Sequence, residues 1–185
     1  MKMNLQSKNS KEFFGNFLII SGNGRNVGKT FLACRIIEFL SQNNAVTAVK
    51  ISPHYHQIHE NVKVLINDDD FIVLNETEKT HKDSSLFLQT GAAKVLFVMV
   101  RPEKLEKAFQ SLKPLLTEGP VIFESAGLGE IINAGLSFFL KKPGDPILKN
   151  NWAAKHSHII ENEGGILNFD ITKIGFEDNQ FDLKN

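Results

Sequence analysis

Apolar runs and helical spacings alternate over the first fifty residues of the chain. Residues 17–21 (FLIIS) form a short uninterrupted apolar run, which is typical of a strand covered on both faces. Apolar residues then recur at helical spacing from Phe31 to Leu40, and the polar residues 42–44 end that pattern. Residues 45–51 (AVTAVKI) predict a second strand at the distance that a crossover helix requires. We therefore expect a right-handed βαβ unit at the start of the chain.

The pattern changes after Ser52. Two β-rich runs, residues 62–66 and 71–74, flank the turn-forming residues 67–70 (NDDD) and predict an inserted antiparallel hairpin. A short helix is predicted to begin near Asp83. The remaining elements are predicted from apolar runs and turn residues as strands at 95–100, 121–123, 136–140 and 158–160, a helix at 102–113, and short antiparallel strands within 164–183.

Length, charge and cysteine content limit the classes of protein to which this chain can belong. The 185 residues suit one domain, in which we expect residues 1–15 to be flexible or loosely attached. Lys plus Arg and Asp plus Glu both number 21, so no global positive field favours nucleic acid or an anionic membrane surface. The longest apolar run, residues 95–100, is far shorter than the roughly 18 residues of a membrane span. A single cysteine, Cys34, and the absence of a signal-like N-terminus predict a cytoplasmic protein.

The strongest chemical signal is the glycine-rich segment SGNGRNVGKT, residues 21–30, between the first strand and the first helix. Glycines allow backbone N–H groups to approach phosphate oxygens, and the helix that follows adds the positive end of its dipole. Lys29 would contact the β- and γ-phosphates, and the Thr30 hydroxyl would bind Mg²⁺. The predicted nucleoside triphosphate site comprises Gly22, Asn23, Gly24, Arg25, Asn26, Val27, Gly28, Lys29, Thr30 and Phe31.

The strict phosphate-loop pattern GxxxxGK[ST] requires a glycine where this chain has Asn23. One hypothesis is that Asn23 takes the place of the glycine, because asparagine tolerates positive φ. The other is that the loop is a longer variant, since GNGRNVGKT resembles the GTDTxVGKT loop of dethiobiotin synthetases. The matching residues are Gly22, Val27, Gly28, Lys29 and Thr30.

A second resemblance lies in residues 82–98, KDSSLFLQTGAAKVLFV. This segment resembles the part of the molybdopterin-guanine dinucleotide biosynthesis protein B (MobB) family in which an Asp-Ser/Thr pair precedes a short helix and a strand. Lys50, His54 and His56 are similar to the Lys-His-rich stretch of that family, and the resemblance covers about residues 17–125. It implies an α/β P-loop NTPase fold with a mostly parallel sheet and helices on both faces. It also implies Mg²⁺-dependent binding and slow hydrolysis of a triphosphate by an accessory protein of cofactor biosynthesis.

Further candidate residues surround the glycine loop. Glu124 follows a buried strand at the end where α/β sheets place ligand residues, so we predict that Glu124 binds Mg²⁺ with Thr30. Lys29, Asp83 and Glu124 are the candidate catalytic residues. For Asp83, helix capping is an equally good role. Lys50, His54 and His56 are the candidate substrate residues. Together with His59 and His81, the two histidines also permit a metal hypothesis, but their spacing is not diagnostic.

The sequence is compatible with three functions. The first is the MobB-like NTPase with a protein partner, for which the MobB resemblance suggests GTP and the dethiobiotin-synthetase-like loop suggests ATP. The second is an ATP-dependent small-molecule ligase or kinase, which needs a second substrate for turnover. The third is a nucleotide-gated protein-binding module with little catalysis. The exposed edge of the predicted hairpin would also allow a homodimer by sheet extension.

Overall fold

The computed structural model describes residues 11–58, 62–77, 83–116 and 118–184. The strands are β1 (Phe13–Gly22), β2 (Thr47–Ser52), β3 (Lys63–Asn67), β4 (Phe71–Glu76), β5 (Lys94–Val100), β6 (Val121–Glu124), β7 (Asn133–Lys141), β8 (His158–Glu163), β9 (Ile166–Leu167), β10 (Ile174–Glu177) and β11 (Gln180–Leu183). The α-helices are α1 (Lys29–Leu40), α2 (Asp83–Gln89), α3 (Leu105–Leu112) and α4 (Asn151–Lys155). Short 3-10 turns occupy Pro102–Lys104, Lys113–Leu115, Leu128–Glu130 and Ile171–Lys173.

Nine of the strands in the described residues form one sheet in the order β3-β4-β5-β2-β6-β1-β7-β8-β9. The six strands from β5 to β8 in this order are parallel to one another. At the two edges, β4 pairs antiparallel with β5 and β3, and β9 pairs antiparallel with β8. The protein is therefore an α/β fold with a large, mostly parallel mixed sheet.

Helices cover both faces of this sheet, as the sequence predicted. Leu18 and Ile20 of β1 pack in the cluster that contains α1 and α2. Phe17 and Ile19, which alternate with them, pack in the cluster that contains α3. Successive side chains of a strand point to opposite faces, so a strand that is apolar at every position serves both layers.

The predicted insertion and tail are confirmed. β3 and β4 form the antiparallel hairpin, which extends the sheet, with β3 at its edge. β10 and β11 form a separate antiparallel pair in the C-terminal segment. β1 begins at Phe13, and the Phe14 ring stacks on Phe17 at 4.5 Å between centroids, so the end of the segment 1–15 belongs to the sheet. Among the described helices, none combines the length and apolar character needed to cross a membrane.

Parallel pairing decides where functional side chains can meet. Six strands end on the same side of the sheet, which we call its carboxyl edge: β1, β2, β5, β6, β7 and β8. The glycine loop follows β1 at this edge, and Glu124 ends the neighbouring strand β6. Ligands of open α/β sheets bind at such an edge.

Candidate functional site

The loop between β1 and α1 uses left-handed backbone at alternate residues. Gly24, Asn26 and Gly28 have φ of 127°, 58° and 97°. Gly28 is the N-cap of α1, and its carbonyl accepts the first helical hydrogen bond from the Leu32 N–H at 2.9 Å. A Cβ on Gly28 would overlap the side-chain amide of Asn162. Glycine is therefore required here both by its φ and by the close approach of Asn162.

The hypothesis that Asn23 adopts a positive φ in place of glycine is wrong. Asn26, three residues further on, is the loop asparagine with positive φ. The Asn23 side chain instead binds the backbone of residues 146–149: its Nδ2 donates to Pro146 O at 2.8 Å, and its Oδ1 accepts from Leu148 N at 2.8 Å. Asn23 therefore ties the loop to the segment that follows β7.

Gly22 and Val27, which match the loop of dethiobiotin synthetases, occupy tightly packed positions. A Cβ on Gly22 would lie 2.8 Å from Leu140 O and 2.9 Å from a Val27 methyl carbon, so only glycine fits between them. Val27 is 4% exposed and packs in the core beneath α1. The loop is thus anchored at both ends, while Arg25 and Asn26 are exposed.

Two asparagines that sequence reasoning missed brace the same loop. Asn150 Nδ2 donates to Gly22 O at 2.8 Å, and Asn162 Nδ2 donates to Val27 O at 3.1 Å. The Asn162 amide oxygen accepts from Gly165 N at 3.0 Å, which fixes the orientation of that side chain. Both asparagines lie more than a hundred residues beyond the loop, so no local motif in the sequence indicates them.

The carboxylate predicted as a metal ligand does lie beside the loop. Glu124 is in register with Ile20 of β1 and with Lys50 of β2, which brings all three to one edge. Thr30 Oγ1 donates to Glu124 Oε2 at 2.7 Å. The Lys50 Nζ lies 3.3 Å from Thr30 Oγ1 and 3.4 Å from Glu124 Oε2. The side chains of Lys50 and Glu124 are only 15% and 9% exposed, so solvent screens this cluster weakly.

Lys29 points into the loop, where its Nζ donates to Gly24 O. Burial lowers the pKa of Lys29, the Glu124 carboxylate opposes this shift, and the Lys50 ammonium adds to it. The described residues 29–32, which form the first turn of α1, contain no acidic side chain, and Gly28 provides no side-chain cap. The first N–H groups of a helix have no partner within the helix. The half-buried Lys29 ammonium and these N–H groups together suit an anion.

The donors beside the loop also fit Mg²⁺. This ion prefers oxygen ligands and is commonly held by one or two protein oxygens, waters and substrate phosphates. The Thr30 hydroxyl and the Glu124 carboxylate are such oxygens, already in contact. The Lys50 ammonium contacts both, so a cation already neutralises the carboxylate, and a metal ion would replace or adjoin it.

The predicted substrate residues separate in space. The exposed Arg25 guanidinium donates from Nη2 to His54 Nε2 at 2.6 Å, which connects the loop to the segment after β2. The His56 ring instead lies 6.0 Å from the Phe97 ring, between centroids. Phe31 is 42% exposed. Asp83 begins α2, but its side chain lies outside the described structure, as do His59 and His81. Within the described ranges, no three His, Cys, Asp or Glu residues are close enough to hold a metal ion.

In comparisons with known proteins, no family model, curated protein or solved structure matches the chain. The class of protein is therefore defined by the fold and the site alone. The chain is an α/β protein in which a glycine-rich strand-to-helix loop, a half-buried lysine and a Thr–Glu pair meet at the carboxyl edge of a mostly parallel sheet.

Proposed function

We propose that this chain is a P-loop protein that binds GTP or ATP with Mg²⁺ and hydrolyses it slowly. The observation that carries the proposal is the position of Lys29 and Thr30 in the first turn of α1, with Thr30 bonded to Glu124 at 2.7 Å. A loop ammonium, free helical N–H groups and a hydroxyl–carboxylate pair are the parts that phosphate and its metal ion require.

Each part has a defined role in this proposal. The N–H groups at the start of α1 and the Lys29 ammonium hold the phosphate oxygens, exchanging the contact of Lys29 with Gly24 O for contacts with the anion. Thr30 and Glu124 hold Mg²⁺, which when bound would offset part of the phosphate charge. Lys50 supplies a further positive charge beside the terminal phosphate. Asp83 remains the candidate for orienting the attacking water.

The cellular role proposed here is that of a MobB-like accessory protein in cofactor biosynthesis, acting with a protein partner. Its support is the resemblance of residues 17–125, in which the glycine loop, the stretch after Lys50 and the segment 82–98 occur in the same order. The order of β1, α1 and β2 and the helix–strand pair α2–β5 are compatible with that resemblance.

Calorimetric titration with Mg²⁺ and ATP, GTP or their non-hydrolysable analogues tests the phosphate site. Lys29→Ala removes a charge-assisted contact, so we expect an affinity loss of about tenfold to a hundredfold. Lys94→Ala is the matched control, because Lys94 is also half-buried and donates to a backbone carbonyl, that of Leu115, but begins β5 at the opposite edge of the sheet. Unchanged affinity in Lys29→Ala would reject the phosphate-loop assignment.

A second candidate function, a small-molecule ligase or kinase, is favoured by one observation. A cavity adjoins Lys50 on the side away from the loop and provides space for a second substrate. This function predicts nucleotide turnover only when the second substrate is present. Measuring phosphate release by the protein alone separates it from the slow NTPase, which needs no acceptor.

A further inference from the structure

A cavity of about 440 Å³ lies beside Lys50, under the first turn of α2. Its floor is a row of three side chains in register across neighbouring strands: Lys50 of β2, Phe97 of β5 and Leu74 of β4. Met99 extends the floor toward the carboxyl edge, and Ser84 of α2 contributes to its wall. The volume is in the range of small-molecule sites.

The unusual side chain of this cavity is Glu76, the last residue of β4. Glu76 lies two residues beyond Leu74, so it projects from the same face of the sheet as the cavity floor. The residue is only 6% exposed, yet its side chain has no hydrogen-bond or ion-pair partner within the described part of the chain. No fully buried side-chain oxygen or nitrogen in the described part of the chain lacks a partner, so the Glu76 carboxylate oxygens are not fully enclosed. Glu76 lines the cavity.

The surroundings of Glu76 define what it can bind. Leu74, Phe97 and Met99 form the apolar part of the lining, and Lys50, the lysine among the described lining residues, is engaged with Thr30 and Glu124. A carboxylate in a largely apolar recess gains most from a cationic donor whose remaining surface is apolar. Within the described ranges, Glu76 belongs to no group of three His, Cys, Asp or Glu residues that could hold a metal ion.

We propose that this cavity binds a small organic cation, an amine or amidine with an apolar body, through the carboxylate of Glu76. Because Lys50 lines the cavity and also contacts the Thr30–Glu124 pair, the bound cation lies next to the phosphate site. This inference goes beyond nucleotide binding and does not depend on it, since Glu76 takes no part in the loop.

The test uses the full chain and three probes of similar shape: 2-phenylethylamine, the uncharged 2-phenylethanol and the anionic 3-phenylpropanoate. Binding is followed by amide chemical shifts in NMR titrations without nucleotide. We expect the amine to bind about tenfold or more tightly than the alcohol, with shifts at Glu76, Phe97 and Met99. The anion is expected to bind most weakly.

Variants assign the preference to Glu76. Glu76→Gln keeps the shape and removes the charge, so the preference for the amine over the alcohol should disappear. Glu76→Asp keeps the charge and should keep the preference. Glu106→Gln removes an exposed carboxylate of α3, on the opposite face, and is the matched control.

Equal binding of the amine and the alcohol by the wild type would overturn the inference, as would an unchanged preference in Glu76→Gln. The dispersion of the amide NMR spectrum of Glu76→Gln, compared with that of the wild type, verifies that the variant is folded. Lys29→Ala distinguishes the two proposals, because it should lose nucleotide affinity and still bind the amine. Amine binding without nucleotide affinity would reject only the phosphate site, and the reverse would reject only the cation site.

Discussion

Replacing Gly28 with alanine places a methyl group where the side-chain amide of Asn162 lies, at a residue whose φ is 97°. Two separate costs follow. The backbone must hold an L-residue in a left-handed conformation. The Asn162 amide must also move, which breaks its bonds to Val27 O at 3.1 Å and from Gly165 N at 3.0 Å.

The magnitude follows from these two costs. A left-handed L-residue costs about 1–2 kcal/mol. Two neutral hydrogen bonds contribute about 1 kcal/mol each. We therefore expect Gly28→Ala to lower the free energy of unfolding by about 3–4 kcal/mol, and Asn162→Ala alone to lower it by about 2 kcal/mol.

Urea unfolding of both single variants and the double variant separates the costs. In the Gly28→Ala background the Asn162 bonds are already lost, so Asn162→Ala should have almost no further effect. Gly144→Ala is the matched control for the backbone cost, because Gly144 has φ of 75° and no atom lies within 4 Å of its Cβ position. We expect this variant to lose only about 1–2 kcal/mol.

Two results would refute this reasoning. If Asn162→Ala cost the same in both backgrounds, the alanine methyl would not displace the Asn162 amide. If Gly28→Ala and Gly144→Ala were equally destabilised, the close approach of Asn162 would contribute nothing. Either outcome would remove the geometric argument for glycine at residue 28.

Three further predictions concern charge. Glu124→Gln removes the carboxylate of the candidate magnesium site, so the Mg²⁺ concentration for half-maximal nucleotide binding, measured by calorimetry, should rise about tenfold or more. Lys29→Met should raise the nucleotide-free unfolding free energy, because burial lowers the Lys29 pKa. Between the lowered pKa of Lys29 and its ordinary pKa of 10.5, the unfolded wild-type chain binds more protons than the folded one, so the wild type gains stability as the pH rises. The stability difference between Lys29→Met and the wild type should therefore shrink through this window. Hydrogen bonds from Lys107 lower the pKa values of Asp68 and Asp70, so both should titrate below 3.8 by NMR, and Lys107→Met should raise both values.

Each of these predictions has a contrary result. An unchanged Mg²⁺ requirement in Glu124→Gln would remove that residue from the metal site. A stability difference for Lys29→Met that does not vary with pH would show that the pKa of Lys29 is not lowered in the folded chain. Above the ordinary carboxyl pKa, the contacts of Asp68 and Asp70 with Lys107 stabilise the folded chain. This stabilisation is lost as the pH falls through the lowered pKa values of the two carboxyls. Normal titration of these carboxyls would show that Lys107 does not hold the hairpin turn.

The strands and helices of the core were predictable because their signals are local. The apolar run 17–21, the helical spacing of residues 31–40 and the turn residues 67–70 each correspond to an element of the structure. The predicted helix 102–113 is α-helical only over Leu105–Leu112, because 3-10 turns containing Pro102 and Pro114 flank it. The role of Asn23 was mistaken because its backbone conformation depends on the distant residues 146–149, which bind its side chain.

By itself, the sequence determined the βαβ opening, the inserted hairpin and a glycine-rich loop with Lys29 and Thr30 at the start of a helix. The periodicity of apolar residues and the steric limits of the backbone act over a few residues, so these features can be predicted from the local sequence. Only the tertiary structure decided that Lys50 contacts Glu124 and Thr30, that Asn150 and Asn162 brace the loop, and that Glu76 faces a cavity. Strand register makes Lys50 and Glu124 neighbours, and the packing of loops and helices against the sheet makes the other contacts. Both depend on the packing of the whole sheet.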